Sequence, residues 1–152
     1  MNATAAQRYR SVFRPDLFEG QTIVITGAGS GLGRCTAHEL ASLGASLALV
    51  GRQLEKLQTV QQELLQAYPE MASRISLHSC DIRQEDSVKE TVQAILAQHH
   101  AIHGLFNCAG GQYPAPLRDI SLKGWDAVVR NNLHGTFLFS REVGAHMLER
   151  GS

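Results

Sequence analysis

The 152-residue sequence has no excess of charge of either sign: 14 Lys and Arg stand against 14 Asp and Glu. A zero net charge withholds the electrostatic footprint that nucleic acid or an anionic membrane surface requires of a partner. Long apolar runs are also missing, and none approaches the roughly 18 residues needed to span a bilayer. Met1 to Gly20 carry Arg8, Arg10 and Arg14 but no apolar core segment, so no secretory signal is expected there. Cysteine is scarce and odd in number. Cys35, Cys80 and Cys108 lie in or beside predicted elements and read as small buried hydrophobes in a reducing compartment, not as a disulfide framework. The seven histidines, His38, His78, His99, His100, His103, His134 and His146, form no ligand spacing with Cys or carboxylates, so no metal is expected. These absences leave a cytoplasmic protein with no nucleic-acid and no membrane partner as the expectation.

What remains is an ordinary globular composition, 43% apolar and 18% charged, in a chain the size of one domain. There are no internal repeats or low-complexity segments. Residues 1–20 are polar and aperiodic, punctuated by Pro15 and Gly20, and read as an N-terminal arm; residues 21–152 read as one domain. Within it, Gln21 to Thr26 is an apolar, β-branched strand. A helix follows from Gly31 to Leu43, with Leu32, Cys35, Leu40 and Leu43 inward and Gly44 as its stop. Ser46 to Val50 lacks polar alternation, as a strand covered on both faces should. Leu54, Leu57, Val60 or Gln61, Leu64 and Tyr68 keep helical spacing up to Pro69. Arg74 to Cys80 alternates Ile75, Leu77 and Ser79 against polar residues and suits an edge strand. Val88, Val92, Ile95, Leu96 and His99 mark a third helix, and His103 to Asn107 a fourth short strand.

Such alternation implies right-handed βαβ units and a parallel sheet of order 3-2-1-4. The fold class is therefore α/β, a Rossmann-type doubly wound parallel sheet. Beyond strand 4 a loop, Ala109 to Pro116, leads to a short helix capped by Ser121 and running through Trp125 to about Arg130. Asn131 to Glu149 reads as a longer helix. Leu133, Phe137, Leu138, Phe139, Val143, Met147 and Leu148 spread over more than one of its faces, so burial against two neighbours is expected.

Thr26-Gly27-Ala28-Gly29-Ser30-Gly31-Leu32-Gly33 joins the first strand to the first helix. A strand passing through glycines into a helix N-terminus gathers unpaired amides and the positive end of the helix dipole, where a phosphate can approach the backbone. The bland alternative is a loop that only lets strand and helix pack closely. The spacing is T-G-x-x-x-G-x-G, not G-x-G-x-x-G. About 20 residues further on, a NAD site places Asp or Glu on the ribose 2′-hydroxyl. Here that place reads Val50-Gly51-Arg52. Gly51 leaves room, and the planar fork of Arg52 suits a 2′-phosphate, which points to NADP.

This glycine spacing, with Cys80-Asp81-Ile82, Asn107-Cys108-Ala109-Gly110 and Asn132-Leu133-His134-Gly135-Thr136 in order after it, resembles the short-chain dehydrogenase/reductase family. The resemblance covers nearly all of residues 21 to 150. It implies an enzyme whose Gly27, Ser30, Gly31, Leu32 and Gly33 hold the cofactor diphosphate, with Asp81 and Ile82 at the adenine. It places Asn107, Ala109 and Gly110 along the nicotinamide ribose, and gives Asn132 a part in proton transfer. Asp81 also fits a turn or N-cap before the third helix, and Cys108 stands where the family has a second Asn. Phe13 to Gly20 and Gly110 to Pro116, with Lys123-Gly124-Trp125, are similar to citronellol/citronellal dehydrogenases and 2-enoyl-CoA reductases. A small hydrophobic substrate and a homo-oligomer are the corresponding expectations. The family's Ser and Y-x-x-x-K are not matched: four residues after Tyr9, Tyr68 and Tyr113 stand Phe13, Ala72 and Leu117. The sequence thus reads as a doubly wound domain truncated after the fourth strand and its following helices, and the polypeptide as written is expected to be inactive. A non-catalytic nucleotide-binding module is the competing reading.

Overall fold

The computed structural model of the chain describes residues 11–151. Four strands alternate with helices: β1 (Thr22–Thr26), α1 (Gly31–Ser42), β2 (Ser46–Gly51), α2 (Leu54–Ala67), β3 (Ile75–Ser79), α3 (Glu85–His99) and β4 (Gly104–Asn107). Two further helices follow, α4 (Leu122–Val129) and α5 (Gly135–Arg150). All strand pairs are parallel, and the order is β3-β2-β1-β4, as the alternation predicts. β1 therefore sits where the winding reverses, and the loops leaving the ends of neighbouring strands open a crevice there.

The sheet is covered on both faces. On one side α1 and α2 close over Ile23, Ile25, Leu47, Leu49 and Leu57. On the other, α3 and α5 close over Val24, Ala48, Val50, Ile95 and Phe139. β1 and the middle of β2 are buried residue by residue, the physical reason their sequences lack polar alternation. The arm is represented by residues 11–20, which form turns; Phe18 packs on the first cluster and its amide donates to the Leu43 carbonyl. Residues 1–10 lie outside the described part.

Three sequence expectations change on packing. The inward face of α1 is Gly33, Ala37 and Ala41, whereas Leu32 is 75% exposed and Cys35 is exposed too. Leu40 packs against the same core and Leu43, just past the helix, is buried as expected, whereas near the loop Gly33 lies too close to Gly27 to carry any side chain. β3 is an edge strand, yet its polar face is not open to water. Ser76 is buried, and its hydroxyl bonds Nε2 of both His78 (2.8 Å) and His99 (2.7 Å), the latter from α3. Phe139 and Val143 of α5 are buried against the sheet, but Leu133, Phe137 and Leu148 are exposed. β4 is the other edge, with Phe106 exposed.

The histidine pair has a consequence for stability. Burial, reinforced by the nearby His99, pushes His78 down from 6.5 to about 4. Below pH 6.5 the unfolded chain takes up a proton at His78 that the folded chain refuses until about pH 4. Stability is therefore complete above that window and falls as pH drops through it. Allowing for the partial exposure of the ring, the loss should be about 1–2 kcal/mol. His78→Gln should flatten this part of the curve in urea unfolding at a series of pH values. An unchanged slope would remove His78 as its source.

Candidate nucleotide site

The crevice at the strand ends is a cavity of about 700 Å³. The loop after β1 supplies Gly27, Gly29, Ser30, Gly31 and Leu32; Gly51, Arg52, Gln53, Lys56 and Leu57 come from the end of β2 and the start of α2. Cys80, Asp81 and Ile82 follow β3, Cys108, Ala109 and Gly110 follow β4, and Asn131 reaches in from the helical end of the chain. Nine of the twelve residues singled out in the sequence line it. Gly33, Asn107 and Asn132 do not.

The loop is pinned from both sides. The Ala28 amide donates to the Val50 carbonyl at 3.2 Å. Thr26 Oγ1 accepts from the amides of Cys108 and Ala109, each at 3.1 Å, and so ties the ends of β1 and β4 together. Gly27 has φ +69°, and a Cβ there would fall 2.8 Å from Ala109 Cα, so the turn needs glycine for both conformation and space. Gly33 is needed for space alone: its missing Cβ would meet the carbonyl of Gly27. The missing side chain of Gly33 thus serves the packing of helix on loop, while its amide remains at the start of α1.

At the start of α1, Ser30 is the N-cap, its side chain makes no capping bond, and the first turn carries no acidic residue. The first amides of the helix therefore receive no side-chain cap where Ser30, Gly31 and Leu32 line the cavity, and the dipole adds to their pull on an anion. These features fit a diphosphate.

Arg52 and Lys56 are the cationic side chains of the lining. Asp81 is its carboxylate, but Arg83 holds it through Nε at 2.8 Å and a terminal nitrogen at 2.6 Å, and the Arg83 amide donates to it as well. The Arg83 guanidinium, and to a smaller extent Arg52, keeps the Asp81 carboxyl below its usual range. The turn geometry foreseen as the bland alternative for Asp81 is present, and the residue still borders the cavity.

Asn107 points elsewhere than its sequence context suggests: its Nδ2 donates to Ser140 Oγ of α5 at 3.1 Å. Asn132 sits in a π-helical turn, Arg130–His134, joining α4 to α5. Widening the helix to i→i+5 bonding strips carbonyls of their usual partners. Asn132 Nδ2 takes the Val128 carbonyl (2.8 Å) and the Gly111 carbonyl (2.8 Å), while Oδ1 accepts from the Gly111 amide (3.2 Å). These specific bonds offset the poor helix propensity of Asn at this position. Gly110 has no room for a Cβ against that carboxamide.

Sequence reasoning passed over the clamp of Thr26, the lining role of Lys56 and that of Asn131. Lys56, four residues beyond Arg52 across a helix start, had a spacing that could have been noticed. Asn131 had no signal, since a π turn is not legible in residue types. Among the described residues no His, Cys, Asp or Glu cluster is arranged for a metal, and no helix is long and apolar enough to cross a membrane.

A parallel sheet with a glycine loop, uncapped helix amides and cations at its switch point defines a nucleotide-binding protein of the doubly wound class. The particular family follows from comparison: the profile described as short chain dehydrogenase matches residues 21–152, and the chain belongs to that family of oxidoreductases. A solved citronellol catabolism dehydrogenase of Pseudomonas aeruginosa PAO1 is 53% identical, with TM-score 0.83 over 91% of this chain and 56% of that one. Gluconate 5-dehydrogenase of Gluconobacter oxydans is 34% identical over 139 residues, 90% of this chain and 53% of the relative. A metagenomic short-chain oxidoreductase solved in complex with NADP is 30% identical, with TM-score 0.77 over 88% of this chain and 59% of that one. The chain spans about half the length of the curated relatives it matches.

Proposed function

We propose that the protein is an NADP(H)-dependent oxidoreductase acting on a hydrophobic alcohol or aldehyde of the citronellol/citronellal kind. The observation that carries the cofactor preference is the rim after β2. Gly51 and Arg52 stand where a NAD site offers a carboxylate, and the Arg52 guanidinium has no carboxylate bonded to it among the described residues. Its planar fork suits a phosphomonoester. In this reading Ser30 and the amides of Gly31, Leu32 and Gly33 bind the diphosphate. Asp81 and Ile82 flank the adenine, and Ala109 and Gly110 let the nicotinamide ribose lie close. Asn107 acts from behind, holding α5 through Ser140. The carboxamide of Asn132 is spent on Gly111 and Val128, so it serves proton transfer by fixing the loop against the π turn. A bound nicotinamide ring supplies the hydride acceptor or donor.

The substrate class is supported by the 53% identity to the citronellol catabolism dehydrogenase. No Tyr of these 152 residues is followed by Lys four positions on, which favours, for this stretch alone, a second reading as a nucleotide-binding module without turnover. The β4 edge and the exposed Phe137 of α5 support self-association.

The cofactor test is binding. The full-length protein should bind NADPH more tightly than NADH, and Arg52→Asp should weaken NADPH by roughly 1.5–3 kcal/mol, the scale of a charge-assisted contact. Equal dissociation constants for the two cofactors in the unmodified protein would sink the assignment.

A further inference from the structure

We infer that Lys56 is a second cation for the 2′-phosphate, acting with Arg52 as a two-point clamp across the rim of the cavity; this rests on the NADP reading above. Three observations carry it. Lys56 and Arg52 both line the cavity, with Gly29 and Gly51. The place of Lys56 is set by packing: a Cβ on Gly29 would lie 2.9 Å from Lys56 Cβ, so the stem runs against the bare backbone of the glycine loop. The third is charge left over. Arg34, Arg83, Lys89, Arg118 and Arg141 each hold a carboxylate, whereas Arg52 and Lys56, like several cations away from the site, pair with none among the described residues, and these two line the cavity. The one carboxylate of the lining, Asp81, is hydrogen-bonded by Arg83 and reaches Arg52 only through a smaller long-range attraction.

The charges balance chemically. A phosphomonoester carries about −1.5 to −2 near neutrality, more than a single guanidinium neutralises. Arg52 offers a bidentate fork, and Lys56 a compact point charge on a flexible stem. α2 makes the pairing possible, because Arg52 lies just before the helix, which begins at Leu54, and Lys56 lies in its first turn. The two side chains therefore leave one short stretch of backbone, and both border the same cavity.

The test compares adenosine 2′,5′-bisphosphate with AMP, which differ only in the 2′-phosphate, by calorimetric titration of the full-length protein. Lys56→Met keeps the stem against Gly29 and removes the charge. It should weaken the bisphosphate about five- to ten-fold, as an exposed charge-assisted contact does, and leave AMP within about two-fold. Lys56→Arg should restore most of the loss. Circular dichroism of both variants checks that α2 stays folded. An unchanged bisphosphate affinity, or an equal loss on both ligands, overturns the inference; the second outcome would put Lys56 on the 5′-phosphate or in packing alone. The underlying reading fails separately. If the unmodified protein does not prefer the bisphosphate to AMP, the 2′-phosphate site itself is absent and the clamp goes with it. If it does prefer it, and Arg52→Asp abolishes the preference while Lys56→Met does not alter it, only the clamp is lost.

Discussion

Gly33→Val is expected to abolish nucleotide binding, with a loss of more than about 100-fold, and to destabilise the fold by about 1–3 kcal/mol or more. The argument is spatial. A Cβ at position 33 runs into the Gly27 carbonyl and lies 3.1 Å from Ala28 Cα, both backbone atoms that cannot rotate away. The loop cannot retreat either, since Gly27 already lies against Ala109 and the Ala28 amide is tied to β2. A valine must therefore push α1 off β1, and the docking of α1 through Ala37 and Ala41 has no slack to absorb that. The amides at the start of α1 move with the helix. Urea unfolding and nucleotide titration of the same preparation read the two effects together. A folded variant with unchanged affinity would show that the start of α1 takes no part in binding.

Phe139→Ala is the change expected to cost most in stability, about 3–5 kcal/mol for a fully buried aromatic ring. Phe139 is 0% exposed and lies in the cluster with Val24, Val50 and Ile95 that joins α5 to the sheet. Two residues earlier, Phe137 is 57% exposed, with the Arg141 guanidinium 5.5 Å from its ring centre. Phe137→Ala should therefore change stability by under about 1 kcal/mol. The contrast tests the orientation of α5, because the two rings differ only in the face they occupy. The site should register the larger change too. α5 continues from the π turn that holds Asn132 against Gly111, so loosening its seat should lower nucleotide affinity in Phe139→Ala and not in Phe137→Ala. Similar denaturation midpoints for the two variants would mean that the helix packs the other way round.

Much of this architecture was legible before any coordinates. The β-branched run Thr22 to Ile25, the unbroken apolar run in β2 and the helical spacing of Leu57, Val60 and Leu64 state their own periods. Parallel strands with helical crossovers then admit few arrangements. The glycine spacing and Arg52 led to the crevice at the strand ends because a strand, glycine turn and helix start are consecutive in the chain, a local arrangement that suits a phosphate.

The rest depends on residues distant in sequence, which no pattern reports. That Gly33 serves packing depends on where the Gly27 carbonyl points, and that α1 turns alanines inward depends on how closely it lies on β1. The polar face of β3 looks solvent-facing until α3 brings His99 across to Ser76. Asn107 reads as a cofactor neighbour until α5 offers Ser140. The aromatic rings of α5 have a periodicity but no direction, and only the seat of the helix on the sheet decides that Phe139 is core and Phe137 is not. Sequence alone determined the order of elements, the sheet topology and the place of the glycine loop, because each is written in short-range periods and turn chemistry. Tertiary structure alone decided which glycine carries space and which conformation, which polar groups are spent on each other, and which charges stay free for a ligand, because those depend on distances between segments that the chain does not encode one residue at a time.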